Sequence, residues 1–227
     1  MYQYNLAPVK QAFDDYLNTD IPNTTGTFKQ CEDFSLHRED WDEYPDLRCM
    51  TSVINWKSSI GGSDSTRNFR VSLDTPIHRG DLIYDPTSNS VGMLTWHIED
   101  MPDCHRSQIS TCNAYMSVKR NVPEKLDEMT GMVIQEASTK LVVDHMPICY
   151  GGMYGRYNYE VSNNTPGIMP DQKIEIRVQW NPETRDIKNG DFVIVRNVEH
   201  RVMFITWDYL DADDAHGYIV LTCERVE

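Results

Sequence analysis

A chain of 227 residues is long enough for one large domain or two small ones, and its 40% apolar content places it among folded proteins and outside the disordered class. The net charge is −14, with acidic residues in excess in every part of the chain, so the basic stripe that grips nucleic-acid phosphates is missing and sequence-specific DNA binding is not expected. No apolar run approaches the roughly eighteen residues of a membrane span, and no membrane partner is expected. Met1-Tyr2-Gln3-Tyr4 lacks the basic-then-apolar order of a secretory signal. The six cysteines show no Cys-x-x-Cys spacing, so they read as reduced thiols of a protein made in a cytosol.

In chain order, Leu6 to Asn18 predicts a helix with Pro8 in its first turn and Leu6, Val9, Phe13, Tyr16 and Leu17 on one side. Residues 18–48 are polar and Pro-interrupted and read as an arm. Its aromatic residues Phe28, Phe34, Trp41 and Tyr44 are too many for a linker, which makes them candidate anchors at an interface with a neighbouring subunit. From Cys49 the period changes to two: Met50, Ser52, Ile54 and Trp56 alternate with their neighbours as in a half-buried strand. Further strands are expected around Phe69 to Leu73, Asp81 to Tyr84, Val91 to Ile98 and Gln108 to Val118. The rest of the chain predicts strands at Gly131 to Val143, Tyr154 to Val161, Lys173 to Trp180, Asp191 to Val195, Arg201 to Tyr209 and Tyr218 to Arg225.

These strands fall into two copies. Gly80-Asp81, Thr95-Trp96, His105 and Thr111-Cys112 recur as Gly190-Asp191, Thr206-Trp207, His216 and Thr222-Cys223, with spacings of nine and seven residues from Trp to His to Cys in both. A period near 110 residues is too long for a solenoid or propeller blade and indicates tandem copies of one small domain. The expected architecture is therefore mainly β: two tandem small barrels or sandwiches at 49–122 and 123–227, preceded by a helix and arm at 1–48.

The repeated residues have a structural reading. Leu94, Trp96 and Ile98 share one face of their strand, as do Ile205, Trp207 and Tyr209, which places Trp96, Trp207, Cys112 and Cys223 in the two cores. Gly-Asp before a strand reads as a tight turn with a positive-φ glycine and a capping carboxylate. The loops after each Trp are acidic, with Glu99, Asp100 and Asp103 in one and Asp211, Asp213 and Asp214 in the other, and both end in His. Neither has the ligand spacing of a calcium loop. His97, Cys104 and His105 lack an evident fourth zinc ligand, so the loops read as solvated and neither metal nor cofactor is expected. Nucleophile elbows, phosphate-binding Gly-Lys-Ser/Thr loops, His-Glu-x-x-His and dinucleotide fingerprints are all missing, and the chain reads as a non-enzyme.

Arg79-Gly80-Asp81, an apolar strand, Leu94-Thr95-Trp96, a variable loop, then Cys112-Asn113 and an apolar alternation together resemble the head-closure or connector proteins of the neck of tailed bacteriophages. The resemblance covers about 79–118, with a weaker echo over 188–225. It departs at Cys223-Glu224, where Cys-Asn is expected, and at Val118, where an aromatic residue is common. It implies a virion structural protein assembled in the host cytoplasm as a homo-oligomeric ring beside other neck, portal, adaptor or tail proteins. DNA would pass non-specifically through its channel, with the acidic loops at 99–103 and 211–214 facing the axis. Two alternatives stand beside it: a tail-completion or other tail-associated protein, and a two-barrel ligand-binding module.

Overall fold

The computed structural model describes residues 7–18, 24–29, 46–53, 66–85, 89–126, 129, 133–152, 173–212 and 214–226. Helix α1 spans Ala7–Asn18. Phe13 and Leu17, four residues apart and so on one side, are buried against Cys104 and Met50. Val9 and Tyr16 are exposed, so the apolar face is narrower than the sequence pattern suggests. Lys10 fastens the helix a second time, donating to both carboxylate oxygens of Asp74 at 2.6 and 2.7 Å.

The protein is mainly β, in two domains. In the first, the principal strands are β1 (Thr24–Lys29), β2 (Asp46–Val53), β3 (Thr66–Val71), β4 (Leu82–Asp85), β5 (Ser90–Leu94) and β7 (His105–Thr111); β6 (Glu99–Asp100) is a short addition on β7. The sheet order is β3-β2-β1-β4-β5-β7, and a further β3–β7 pairing joins its two ends. Ile109 of β7 shows how: it pairs with Arg67 of β3 on one side and Leu94 of β5 on the other. Cys49, Phe69, Val71, Ile77, Ile83 and Leu94 fill the inside.

The second domain is a closed barrel of β8 (Ala114–Val122), β11 (Ser138–Gly152), β12 (Lys173–Gln179), β13 (Phe192–Val195), β14 (Val198–Thr206) and β15 (Tyr218–Arg225), ordered β11-β12-β15-β14-β13-β8. A two-stranded ladder of β9 (Lys125–Leu126) and β10 (Val133–Gln135) stands beside it. Two register shifts bend β11, one of them next to His145, whose φ is 48°. The core includes Met116, Val118, Met146, Ile148, Ile176, Val178 and Leu221. The strand expected at Tyr154 to Val161 lies outside the described residues.

Both rings close in the same order: in chain sequence, first, second, third, sixth, fifth, fourth. The repeat is thus a repeat of topology, with β1 matching β8, β2 matching β11, and so on to β7 and β15. This moves both expected boundaries. The second domain starts at Ala114 and not at 123, because β8 buries Ala114, Met116 and Val118 in the second core. The first starts at Thr24 and not at 49, because β1 and β2 complete its ring.

The arm therefore contributes strands to its own barrel. Phe28 lies in the ladder opposite Ile83, whereas Phe34, Trp41 and Tyr44 fall outside the described residues.

The Gly-Asp turns match closely. Gly80 and Gly190 have φ of 89° and 90°. Gly80 N–H donates to Leu94 and Leu94 N–H to the Asp81 carbonyl; Gly190 and Asp191 exchange the same two bonds with Val202. Each Asp side chain accepts the amide three residues before it, from His78 at 2.6 Å and from Lys188 at 2.8 Å.

Beyond the turns the sequence register fails. Leu94 corresponds to Val202, and their partners Ile109 and Cys223 correspond to each other, so Trp96 does not match Trp207 and Cys112 does not match Cys223. One reason is the hairpin. Arg196 and Asn197, at φ 51° and 64°, make a two-residue turn between β13 and β14, while 86–89 separate β4 from β5. Neither Trp is core: Trp96 is 47% exposed and Trp207 49%. β5 stops at Leu94 and β14 at Thr206, so both indoles lie past the ladder, where alternation no longer sets direction. Cys223 is fully buried in the second core, as expected, while half-buried Cys112 sits between the barrels.

Candidate functional site

The connection between β7 and β8 is only Cys112-Asn113, so the barrels are held side by side and share an apolar junction. Leu82, Val91 and Met93 of the first pack against Cys149, Tyr218 and Val220 of the second, with Tyr84 and Cys112 at the margin. Polar contacts frame this seam. The Tyr218 hydroxyl donates to the Thr95 carbonyl at 3.2 Å, and its ring stacks on Tyr209 at 4.7 Å. Burial pushes the Tyr218 phenol up to about 12, so it remains a donor at neutral pH. Arg79 donates to the Leu210 carbonyl at 3.1 Å and stands 3.8 Å from the Asp211 carboxylate. The His78 and His216 rings stack at 3.8 Å with 8° between planes. Asn113 forms a paired bridge to Tyr150, its amide donating to the carbonyl and its oxygen accepting the N–H, both at 2.7 Å.

In the second barrel, Arg120 extends from β8 to Asp191, donating from Nε at 2.7 Å and from a terminal nitrogen at 2.8 Å, and also donates to the Asp186 carbonyl. The Asp191 side chain is almost wholly buried, so this pair ties the Gly-Asp turn to the barrel wall.

The acidic loop residues are less free than their sequence suggests. Asp100 lies 2.7 Å from His105 Nδ1, whose Nε2 is 3.1 Å from the Leu73 carbonyl. Glu99 stands 3.3 Å from His97 and 3.9 Å from Arg106. Asp103 accepts from the Cys104 thiol, which burial and then Asp103 itself raise to about 11. Asp211 faces Arg79, Asp214 accepts the Trp180 indole N–H on its carbonyl, and Asp213 lies outside the described residues. His97, Cys104 and His105 do not converge: Cys104 is turned into the contact with α1, while His97 faces outward beside Glu99. Among the described residues, no group of three or more His, Cys, Asp and Glu side chains is placed to hold a metal ion.

The most exposed aromatic surface is one the strand periodicity hides. Met203 (46% exposed) and Phe204 (59%) are adjacent on β14, and Trp207 and Tyr209 follow. A bulge between Val202 and Phe204 shifts the β14–β15 register by one, so consecutive large side chains both face outward while Val202 and Ile205 face the core. Trp96 and Met101 are the exposed apolar residues of the corresponding loop in the first barrel. The sequence signal available for this surface was the pair Met203-Phe204 itself, which a strict period of two cannot bury on one side. No family model, curated protein or solved structure matches the chain.

Proposed function

We propose that this chain is a non-enzymatic structural subunit of a tailed-phage head–tail connector, which assembles side by side with copies of itself into a ring around the DNA channel. The observation that supports it best is the set of exposed side chains Met203, Phe204, Trp207 and Tyr209 along β14 and the loop after it. Exposed aromatic and Met side chains are the residue types that interface centres favour. The net charge of −14 fits a part that DNA passes without adhering, since like charges repel. In this reading the acid near the axis rests on Asp103 and Asp214 more than on Asp100 and Asp211, which already face His105 and Arg79.

Electron microscopy of the purified protein, alone and with the particle's portal-side neighbours, tests it. The expected result is a ring with a central channel. A chain that remains monomeric in both settings, or a ring whose axis is lined by Lys and Arg, overturns the reading.

A further inference from the structure

We infer that Cys112 and Cys149 form a latent disulfide that covalently joins the two barrels under oxidising conditions. Their sulfurs stand 4.0 Å apart at the junction. A disulfide needs about 2.05 Å between sulfurs, so the closure required is about 2 Å, a side-chain adjustment in scale. The backbones are already held together. Asn113 N–H donates to the Ile148 carbonyl at 3.1 Å, and the Asn113 side chain grips Tyr150 on the far side of Cys149. Each cysteine is anchored in a different barrel. Cys112 N–H donates to Val91 of β5 at 2.7 Å, and Cys149 pairs with Arg177 of β12. The bond would therefore weld the seam and close a loop between positions 37 residues apart. The other described cysteines are segregated: Cys49 in the first core, Cys104 under α1 and Cys223 in the second core.

The oxidant that fits is a small-molecule disulfide such as oxidised glutathione. Cys112 is the less buried of the two residues and so the first to react, and Cys149 is buried. The Cys112 thiol loses its proton and attacks one glutathione sulfur, breaking that S–S bond and releasing one glutathione thiolate. Deprotonated Cys149 then attacks the Cys112 sulfur of the mixed disulfide, and the second glutathione leaves. Two protein thiols are oxidised, one glutathione disulfide is reduced to two thiols, and the protons pass to the departing thiolates. The hydrogen bond with Cys149, and then burial, hold the Cys112 thiol well above its ordinary range. Exchange is therefore slow at neutral pH and accelerates in alkali. Such a pair stays reduced in a cytosol and closes after transfer to an oxidising medium. This inference does not depend on the connector reading.

The test is incubation of the reduced full-length protein with oxidised glutathione at alkaline pH, followed by thiol alkylation and peptide mapping by mass spectrometry. The expected product is a single Cys112–Cys149 crosslinked peptide with Cys49, Cys104 and Cys223 alkylated only after unfolding. Oxidation should raise Tm by about 5 °C or more, an effect absent in Cys112→Ser. Cys149→Ser should instead accumulate the glutathione adduct on Cys112. If Cys149→Ser does not fold, the half-buried Cys112→Ser variant carries the comparison alone. Recovery of both thiols unlinked from the folded, oxidant-treated protein overturns the inference, as does a dominant crosslink through any other cysteine.

Discussion

Gly80 and Gly217 meet backbone to backbone across the junction, so closely that a methyl group on Gly80 would overlap the Gly217 carbonyl. Gly190 occupies the same turn in the second barrel with nearly the same φ, yet a methyl there would meet nothing within 4 Å. The two glycines thus separate a conformational requirement from a packing one.

Replacing each with alanine measures that difference. Gly190→Ala should lose about 1–2 kcal/mol, the strain of a non-glycine residue in the left-handed region. Gly80→Ala carries the same strain and must also force the barrels apart, so its loss in chemical denaturation should be larger by at least about 1 kcal/mol. Equal losses would mean that the junction yields freely and contributes little to holding the barrels together.

The Arg120–Asp191 pair permits a cleaner energetic measurement. Asp191 is buried and accepts two bonds from Arg120 and one from the Lys188 amide, so Asp191→Ala removes all three and should lose about 1.5–3 kcal/mol. Lys119 pairs with Phe192 as Lys29 pairs with Leu82, so the position matching Arg120 in the first copy is Gln30, and the ion pair belongs to the second copy by sequence. A double-mutant cycle with Arg120→Met should return a coupling of about 1–3 kcal/mol. Additive single losses would remove the pair from the stability of the turn.

The mainly β class and the doubling of one small domain were legible because their signals are local: Gly-Asp turns at Gly80 and Gly190, alternation from Lys173 to Gln179, and the repeat itself. Register was not. The matches Trp96 to Trp207 and Cys112 to Cys223 align letters across hairpin loops of different length and a bulge at Val202, and both features shift strands without marking the sequence clearly. The barrel boundaries were hidden for another reason. Whether Ala114, Met116 and Val118 line the first core or the second depends on long-range pairing with Val193 and Met146, which alternation alone cannot assign. The acidic loops were read as free charge because their partners Arg79 and His105 lie far away in sequence or one hairpin turn on.

Two titratable groups, buried His200 and half-buried Glu183, give pH effects of opposite sign. Burial lowers the His200 pKa from its ordinary 6.5, so the unfolded chain takes up the proton first as pH falls. Its contribution is complete above about pH 6.5 and lost as pH falls toward the lowered folded value. Glu183 is raised above 4.5, by burial and then by Asp144, so its contribution is complete below about pH 4.5 and lost as pH rises through the folded value. Glu183→Gln should therefore stabilise the protein at pH 7 and change little near pH 3.5. It removes no capping bond, since the Glu183 side chain makes none to the following 3-10 turn. His200→Gln should flatten the stability profile below about pH 6.5. Denaturation curves from about pH 3.5 to pH 7 decide both, and a Glu183→Gln variant less stable at pH 7 than at pH 3.5, relative to the parent, would reverse the assignment.

The exposed aromatics separate folding from assembly. At 49% exposure, Trp207→Ala should lose less than about 1 kcal/mol of stability, where a buried indole would lose about 3–5. If the Met203-Phe204-Trp207 surface seats a neighbouring subunit, the same substitution removes a large part of the contact, because a few aromatic anchors carry most of an interface's binding energy. Trp207→Ser and Phe204→Lys should then give folded, monomeric protein under conditions where the parent forms rings, as measured by sedimentation velocity. Subunits with a net charge of −14 also repel one another as they approach. Salt shortens that repulsion to a range of about 10 Å at 0.1 M, so ring formation by the parent should become easier as salt rises, and Asp214→Asn should ease it most at low salt. Rings that form equally well with Phe204→Lys, and at the same protein concentration at every salt level, would place the subunit contact on another face of the molecule.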